Sequence, residues 1–180
     1  IEKIKNNMWS NYGKVFAEYI YLRKFKNDSD HIKINGKEIL QEIYQKKKPV
    51  IFISGHFANF ELMSMEITKS KLKLATIYRP LNNFFINPFM EYFRRKYVCQ
   101  YQIKKGINGV REAIEYIKKD YSIALMIDQR VSEGENVDFF NFPALTTTLP
   151  AQLAIKYNLK IIPVFIERSS TDIFNIKFHK

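Results

Sequence analysis

A histidine and a glutamate follow an apolar run near the middle of the first half of the chain, and both side chains suit proton transfer. Residues 50–53 are β-branched or aromatic and are bounded by Pro49 and Gly55, a pattern typical of a buried strand. His56 comes directly after this strand, and Glu61 follows five positions later. An imidazole whose Nδ1 is held by a carboxylate can take a proton from an alcohol through Nε2. The pair therefore predicts a general base.

The spacing of this pair indicates that a turn separates the two residues. In a continuous helix, five positions would rotate the side chains about 140° apart. The sequence instead predicts a turn at His56 and a helix over residues 59–69, with Glu61 in its first turns. The motif contains no serine or cysteine nucleophile at the next step, so the substrate would supply the hydroxyl. The alternative is that His56 only fills the turn and Glu61 is a surface residue.

Further polar side chains follow two other predicted strands. Arg79 comes after a strand over residues 72–78, and Asp128 and Gln129 follow a strand over residues 121–127. Ligands of open α/β sheets bind beyond the carboxyl ends of the strands. We therefore expect these side chains to share one edge of the sheet with the histidine motif.

The remaining pattern alternates helices with strands and so predicts an α/β fold, a mostly parallel central sheet with helices on both faces. The other predicted helices cover residues 4–25, 37–47, 87–98 and 108–118, with one more beginning near Pro150. The other predicted strands cover residues 31–34, 160–166 and 173–178, with one ending at residue 103. The first helix is aromatic and flanked by lysines, and it either touches a membrane interface or packs on the sheet.

The composition is that of one globular domain with a basic surface. The chain has 180 residues, of which 46% are apolar and 26% charged, and a single cysteine excludes an internal disulfide framework. Its net charge of +11 predicts a polyanionic partner, which could be nucleic acid, anionic lipid or an acidic carrier protein. The lysines and arginines are scattered, which favours a surface field over base readout. No apolar run approaches the eighteen or more residues of a membrane span.

The segment of residues 55–61, Gly-His-Phe-Ala-Asn-Phe-Glu, resembles the Gly-His-x-x-Asn-x-Glu motif of the bacterial lipid A biosynthesis acyltransferases, the late lauroyl and myristoyl transferases. They belong to the glycerolipid acyltransferase superfamily, which shares His-x4-Asp/Glu. Three more blocks agree in order and spacing: residues 78–83, residues 128–129, and residues 139–144 leading into threonines 146–148. The resemblance extends from about residue 8 to residue 168. The chain departs from it at Asn141, where family members usually have glycine.

The resemblance implies an acyltransferase fold and activity. A fatty acyl chain would move from acyl carrier protein to a hydroxyl of a lipid A precursor, at the cytoplasmic face of the bacterial inner membrane. Residues 1–180 would form a single acyltransferase domain, a fragment without the amino-terminal membrane helix and the carboxyl-terminal end. The membrane surface would be a further partner, and nucleic acid would not. We expect no cofactor and no metal, because His56 lacks the second histidine of a His-Glu-x-x-His zinc site.

The resemblance also assigns roles to individual residues. His56 would be the general base, Glu61 its orienting partner, and Arg79 a donor to phosphate or to an oxyanion. Six other residues are predicted to bind substrate: Asn59, Asp128, Gln129, Phe140, Thr147 and Arg168.

Several of these assignments have alternatives. Asn59 either supports the His56 loop or caps the following helix, and capping is favoured. Asp128 would receive acceptor hydroxyls or orient Arg79. The phenylalanines at 139–140 form either an acyl-channel wall or plain core, and Arg168 binds phosphate or makes a structural ion pair.

Two other functions compete with this interpretation. A glycerophosphate or lysophospholipid acyltransferase shares His-x4-Asp/Glu but usually has different downstream blocks. A basic nucleic-acid-binding module would make the histidine motif incidental and would bind with a steep dependence on salt.

Overall fold

A seven-stranded sheet forms the centre of the molecule. The computed structural model describes residues 2–129, 131, 134–171 and 173–180. The helices are α1 (Glu2–Glu18), α2 (Leu22–Asn27), α3 (Lys37–Lys46), α4 (Glu61–Lys69), α5 (Ile86–Phe93), α6 (Ile107–Lys118) and α7 (Leu149–Tyr157). The strands are β1 (Ile32–Asn35), β2 (Val50–Ser54), β3 (Leu74–Tyr78), β4 (Tyr101–Lys104), β5 (Ser122–Met126), β6 (Glu135–Phe139), β7 (Phe142–Thr146), β8 (Lys160–Arg168) and β9 (Phe174–Phe178).

The strand order of the main sheet is β1-β9-β8-β2-β5-β3-β4. Every neighbouring pair is parallel except β8 and β9, which are antiparallel. The prediction of a mostly parallel central sheet is therefore confirmed. β5 lies between β2 and β3, so the residues that follow these three strands emerge side by side at one edge.

The two faces of the sheet are both covered by helices, as predicted. Successive side chains of a strand point to opposite faces. In β2, Ile51 packs in a core with residues of α6 and α7, whereas Val50 and Phe52 pack in a larger core with residues of α3 and α4. A strand buried on both faces must be apolar throughout, which explains the continuous apolar run before His56.

The first predicted helix is broken into three pieces. A 3₁₀ turn, Tyr19–Tyr21, separates α1 from α2. Val15 is the buried residue of α1, and Tyr19 in the turn is also buried. The other large apolar side chains of α1 are largely exposed, so core packing accounts for only a narrow face of this helix. No helix among the described residues has both the length and the hydropathy needed to cross a membrane.

A two-stranded hairpin, β6 and β7, forms a separate sheet that the sequence did not predict. Phe139 pairs with Phe142, so Phe140 and Asn141 form a two-residue turn. Both turn residues have positive φ, 50° and 64°. Asparagine tolerates this left-handed backbone well, whereas it is rare for a bulky aromatic residue. Asn141, which stands where members of the similar family usually have glycine, therefore still allows the turn.

Candidate active site

His56 and Asp128 meet at the carboxyl edge of the sheet. Ser54 at the end of β2 lies beside Met126 at the end of β5. His56 and Asp128 each follow two positions later, so they emerge next to each other. Asp128 Oδ1 is 2.7 Å from His56 Nδ1, and its Oδ2 accepts a 2.7 Å hydrogen bond from the His56 backbone N–H. One carboxylate thus holds both the ring and the backbone of the histidine. The sequence had predicted that Asp128 binds acceptor hydroxyls or orients Arg79.

The electrostatics of this pair keep the carboxylate charged. Burial acts to raise the pKa of Asp128, but the hydrogen bonds from the side chain and backbone of His56 outweigh it, and the pKa is lowered. A carboxylate at Nδ1 favours the tautomer with its proton there, which leaves Nε2 as the proton acceptor. The ring edge also packs on Phe60, with 4.7 Å between the ring centroids. The imidazole is therefore fixed in both tautomer and orientation.

Glu61 is not the hydrogen-bond partner of His56, so the prediction that it orients the imidazole is wrong. Its Oε1 accepts hydrogen bonds from Arg94, at 2.7 Å from Nε, and from the Tyr19 hydroxyl. Arg94 Nη2 lies 2.6 Å from the same oxygen. Glu61 is the first residue of α4 and is buried between these two partners, while Nδ1 of His56 is already occupied by Asp128. Glu61 therefore connects three elements: α4, the 3₁₀ turn and the π-helical turn Arg94–Val98.

Burial and charge reinforce each other in this cluster. Burial, and after it the Glu61 carboxylate, raise the pKa of Tyr19, so its hydroxyl stays protonated and donates. Burial would lower the pKa of Arg94, but Glu61 and Tyr19 outweigh it and raise the pKa. The ion pair of Glu61 and Arg94 is thus held charged inside the protein.

Asn59 and Arg168 are joined to α1 and do not line the cavity beside His56. Asn59 is fully buried; its Nδ2 donates to Glu18 at 2.8 Å, and its Oδ1 accepts from the Glu61 backbone N–H at 3.2 Å. The hydrogen bond to the Glu61 backbone N–H agrees with the capping alternative, and Asn59 is not among the residues that line the cavity. Arg168 Nη1 pairs with the other oxygen of Glu18, which is the structural ion pair among its two alternatives.

A cavity of about 460 Å³ opens beside His56. Of the predicted substrate-binding residues, Arg79, Gln129 and Thr147 line it together with His56. Its apolar lining comes from several elements and includes Val15, Phe16, Met63, Ile77, Met90 and Leu125. The site therefore combines a proton acceptor, a cation and hydrocarbon-compatible walls.

Phe140 is not a wall of this cavity, contrary to the channel prediction. It sits at the tip of the β6–β7 hairpin and is 82% exposed, and neither Phe139 nor Phe142 lines the cavity. The apolar walls come instead from helices and strands of the main sheet. The reason is the unpredicted hairpin, which carries these phenylalanines away from the core.

Several lining residues were not predicted from the sequence, and two of them have polar ends close to the predicted site residues in the fold. Tyr12 of α1 lines the cavity, and so does Lys105, whose backbone N–H donates to the Tyr78 carbonyl at 2.9 Å. Because β3 and β4 are paired, Lys105 and Arg79 extend from neighbouring strands at the same edge. The sequence signal for Lys105 was a lysine pair following a predicted strand. That β4 pairs with β3, which brings Lys105 to the edge of the sheet that carries Arg79, is a long-range property that this signal does not contain.

The described residues contain no group of three or more histidine, cysteine, aspartate or glutamate side chains that could hold a metal ion. The polar groups of the site include the histidine–carboxylate pair and the cavity-lining side chains of Arg79, Arg94 and Lys105.

An open, mostly parallel sheet with a histidine–carboxylate pair at its carboxyl edge defines an α/β enzyme, and the apolar cavity suits a substrate with a hydrocarbon part. The sequence profile of the family described as bacterial lipid A biosynthesis acyltransferase matches residues 2–179. The chain belongs to this family and is an O-acyltransferase. A search of curated proteins found no significant match.

Proposed function

We propose that this enzyme moves a fatty acyl chain from the thioester of acyl carrier protein to a hydroxyl of a lipid A precursor, with His56 as the general base. The observation that carries the proposal is the 2.7 Å contact between His56 Nδ1 and Asp128 beside a largely apolar cavity. Family membership supports an acyl donor and a lipid acceptor. The carrier-bound donor, the proton transfer to His56 and the catalytic roles of the individual residues are the parts that we propose.

In the proposed first step, Nε2 of His56 takes the proton of the acceptor hydroxyl as that oxygen attacks the thioester carbonyl. Asp128 holds the ring and stabilises the imidazolium that forms. The tetrahedral intermediate then collapses with cleavage of the carbon–sulfur bond. The departing sulfur receives the proton from His56, so the products are an ester and a free thiol and the enzyme is unchanged.

Arg79, with Lys105 beside it, supplies positive charge at the cavity. The tetrahedral intermediate carries a negative oxygen, and one fixed donor to such an oxyanion contributes about 3–4 kcal/mol of barrier lowering. The same two cations suit a phosphate group of the acceptor. Gln129 and Thr147 line the same cavity and are assigned to binding the acceptor's polar groups.

The proposed partners and location follow from the charge and the substrate. A net charge of +11 attracts both an acidic carrier protein and a phosphorylated lipid. We place the reaction at the cytoplasmic face of the bacterial inner membrane, since a lipid acceptor resides in a membrane and family membership supports lipid A biosynthesis.

The test is transfer of a labelled acyl group from acyl carrier protein to a lipid A precursor, with lysophospholipid offered in parallel. We expect transfer to the lipid A precursor, loss of transfer in His56→Ala, and unchanged transfer in the control His179→Ala. Preferred acylation of lysophospholipid would support the glycerolipid rival instead. Full turnover by His56→Ala would reject the mechanism.

A further inference from the structure

Helix α1 exposes an apolar face where a globular protein would normally bury one. Large apolar side chains on α1 and on the turn that follows it are between 44% and 73% exposed: Ile4, Met8, Trp9, Phe16 and Ile20. Phe16 and the nearby Tyr12 also line the cavity. The exposed face of α1 is therefore continuous with the wall of the site.

A second exposed apolar segment begins at the cavity wall between β3 and α5. Asn82 lines the cavity, and Phe84 and Phe85 follow it with exposed fractions of 83% and 87%. Their rings contact each other edge to face, at 6.1 Å between centroids. No charged residue occurs from 81 to 90, although Asn82 and Asn83 are exposed beside the two rings.

The third segment is the β6–β7 hairpin. Val131 and Thr147, which flank the hairpin, both line the cavity. Phe140 at its tip combines an 82% exposed ring with a left-handed backbone, and Phe142 is 73% exposed. An aromatic residue in that conformation is disfavoured, and its ring stays largely exposed although it contacts Phe139 edge to face at 4.6 Å between centroids.

We propose that these three segments form an aromatic rim that inserts into a lipid bilayer, so that the acceptor lipid enters the cavity directly from the membrane. The rim consists of Trp9, Phe16, Phe84, Phe85, Phe140 and Phe142. This inference rests on the proposed function, because it assumes that the acceptor is a membrane lipid. It adds the surface through which the enzyme reaches that lipid.

The chemistry of the rim favours a bilayer over a protein partner. Tryptophan is enriched at the level of lipid headgroups, and phenylalanine is common on the apolar faces of segments that lie in the membrane interface. Large exposed apolar patches mark interaction sites. Around them, α1 carries Lys3, Lys5 and Lys14, which suit anionic headgroups. The hairpin has no lysine or arginine and carries Glu135 and Asp138, so the attraction to anionic headgroups comes from α1 and the hairpin contributes only its rings.

The test measures flotation of the purified protein with phosphatidylglycerol vesicles and with phosphatidylcholine vesicles. We expect the wild type to bind the anionic vesicles more tightly. The variants Phe84→Ser/Phe85→Ser and Phe140→Ser/Phe142→Ser should each weaken binding at least about tenfold, because each removes two rings from hydrocarbon. The matched control is Ile155→Ser, which removes an 84% exposed apolar residue of α7 that does not line the cavity.

A second measurement separates this inference from the proposed function. With the acceptor dispersed in detergent, both rim variants should transfer acyl groups like the wild type, whereas with acceptor in vesicles their rates should fall in step with binding. If the wild type transfers no acyl group with acceptor either in detergent or in vesicles, the proposed function is rejected. The flotation results alone then decide whether the rim binds a bilayer.

Three results would overturn the inference. The first is a wild type that floats with neither vesicle type, and the second is rim variants that bind vesicles as the wild type does. The third is unchanged vesicle binding with a raised KM for acyl carrier protein, which would assign the rim to the carrier. Thermal unfolding of each variant checks that the exposed substitutions leave the fold intact.

Discussion

At the scale of single residues, the partners of two carboxylates differ from those predicted from the sequence, which paired Glu61 with His56 and assigned Asp128 to acceptor hydroxyls or to Arg79. Asp128 holds His56, and Glu61 holds Arg94 and Tyr19. The motif alone favoured Glu61, because it is close in sequence and on the next helix. Which carboxylate reaches Nδ1 is decided by the adjacency of β2 and β5, and strand order is a long-range property that local pattern does not encode.

The different roles of these carboxylates lead to opposite expectations for two isosteric substitutions. Asp128→Asn should lower kcat about 100-fold or more, since His56 loses its charged partner, while the melting temperature changes little. Glu61→Gln should lower stability by about 3–5 kcal/mol, because it leaves the buried Arg94 without a counter-charge. Steady-state kinetics and thermal unfolding of both variants distinguish the roles. Asp120→Asn, at an exposed position, is the control.

The reverse result would contradict this division of roles. If Asp128→Asn unfolded at a lower temperature with a normal kcat, and Glu61→Gln lost only kcat, Glu61 would be the partner of the histidine during turnover.

Cys99 should be chemically inert in the folded protein. Burial raises the pKa of its thiol to about 11, and Sγ donates to the Leu74 carbonyl at 3.2 Å. The reactive thiolate is therefore scarce at pH 8. We expect alkylation by iodoacetamide at least about 100-fold slower than that of the denatured chain. Mass spectrometry of native and denatured samples measures this, and rapid stoichiometric labelling of the native protein would disprove it.

At the scale of elements, helix α6 depends on one glycine for its close approach to the sheet. A Cβ at Gly109 would lie 2.0 Å from the Lys104 carbonyl oxygen of β4. Gly109→Ala should therefore destabilise the fold by about 1–3 kcal/mol, although alanine is the better helix former. Gly13→Ala in α1 is the matched control, because nothing lies within 4 Å of its Cβ position, and it should stabilise by up to about 1 kcal/mol. Urea denaturation provides both values.

Equal effects of the two glycine substitutions would show that α6 can shift away from β4 without penalty. In that case, the close approach of α6 to β4 would not limit position 109 to glycine.

The elements themselves were largely predictable, since short apolar runs located the strands that precede His56, Arg79 and Asp128. The parallel arrangement then brought these three to one edge, as expected. The β6–β7 hairpin was not predictable by the same means. Its turn uses Phe140 and Asn141 in left-handed conformations, and a phenylalanine gives no turn signal.

At the scale of the whole molecule, the net charge of +11 should govern encounter with an acidic carrier protein. Salt screens such attraction, so KM for the carrier-bound donor should rise several-fold between about 0.05 M and 0.5 M NaCl, with kcat nearly constant. The control is a neutral acyl-thioester donor without the carrier, whose KM should not change. Rates at several salt concentrations provide the comparison, and an identical dependence for both donors would refute the expectation.

The pairing of β1 with β9 has a consequence for how the protein is made. Ile32 lies beside Phe174, although strands β2–β8 all lie between them in the sequence. On the ribosome, β1 therefore waits unpaired until β9 has been translated. Premature termination anywhere before β9 would leave both β1 and β8 without this neighbour, and such nascent chains should be recognised by chaperones or proteases before any of them reaches a substrate.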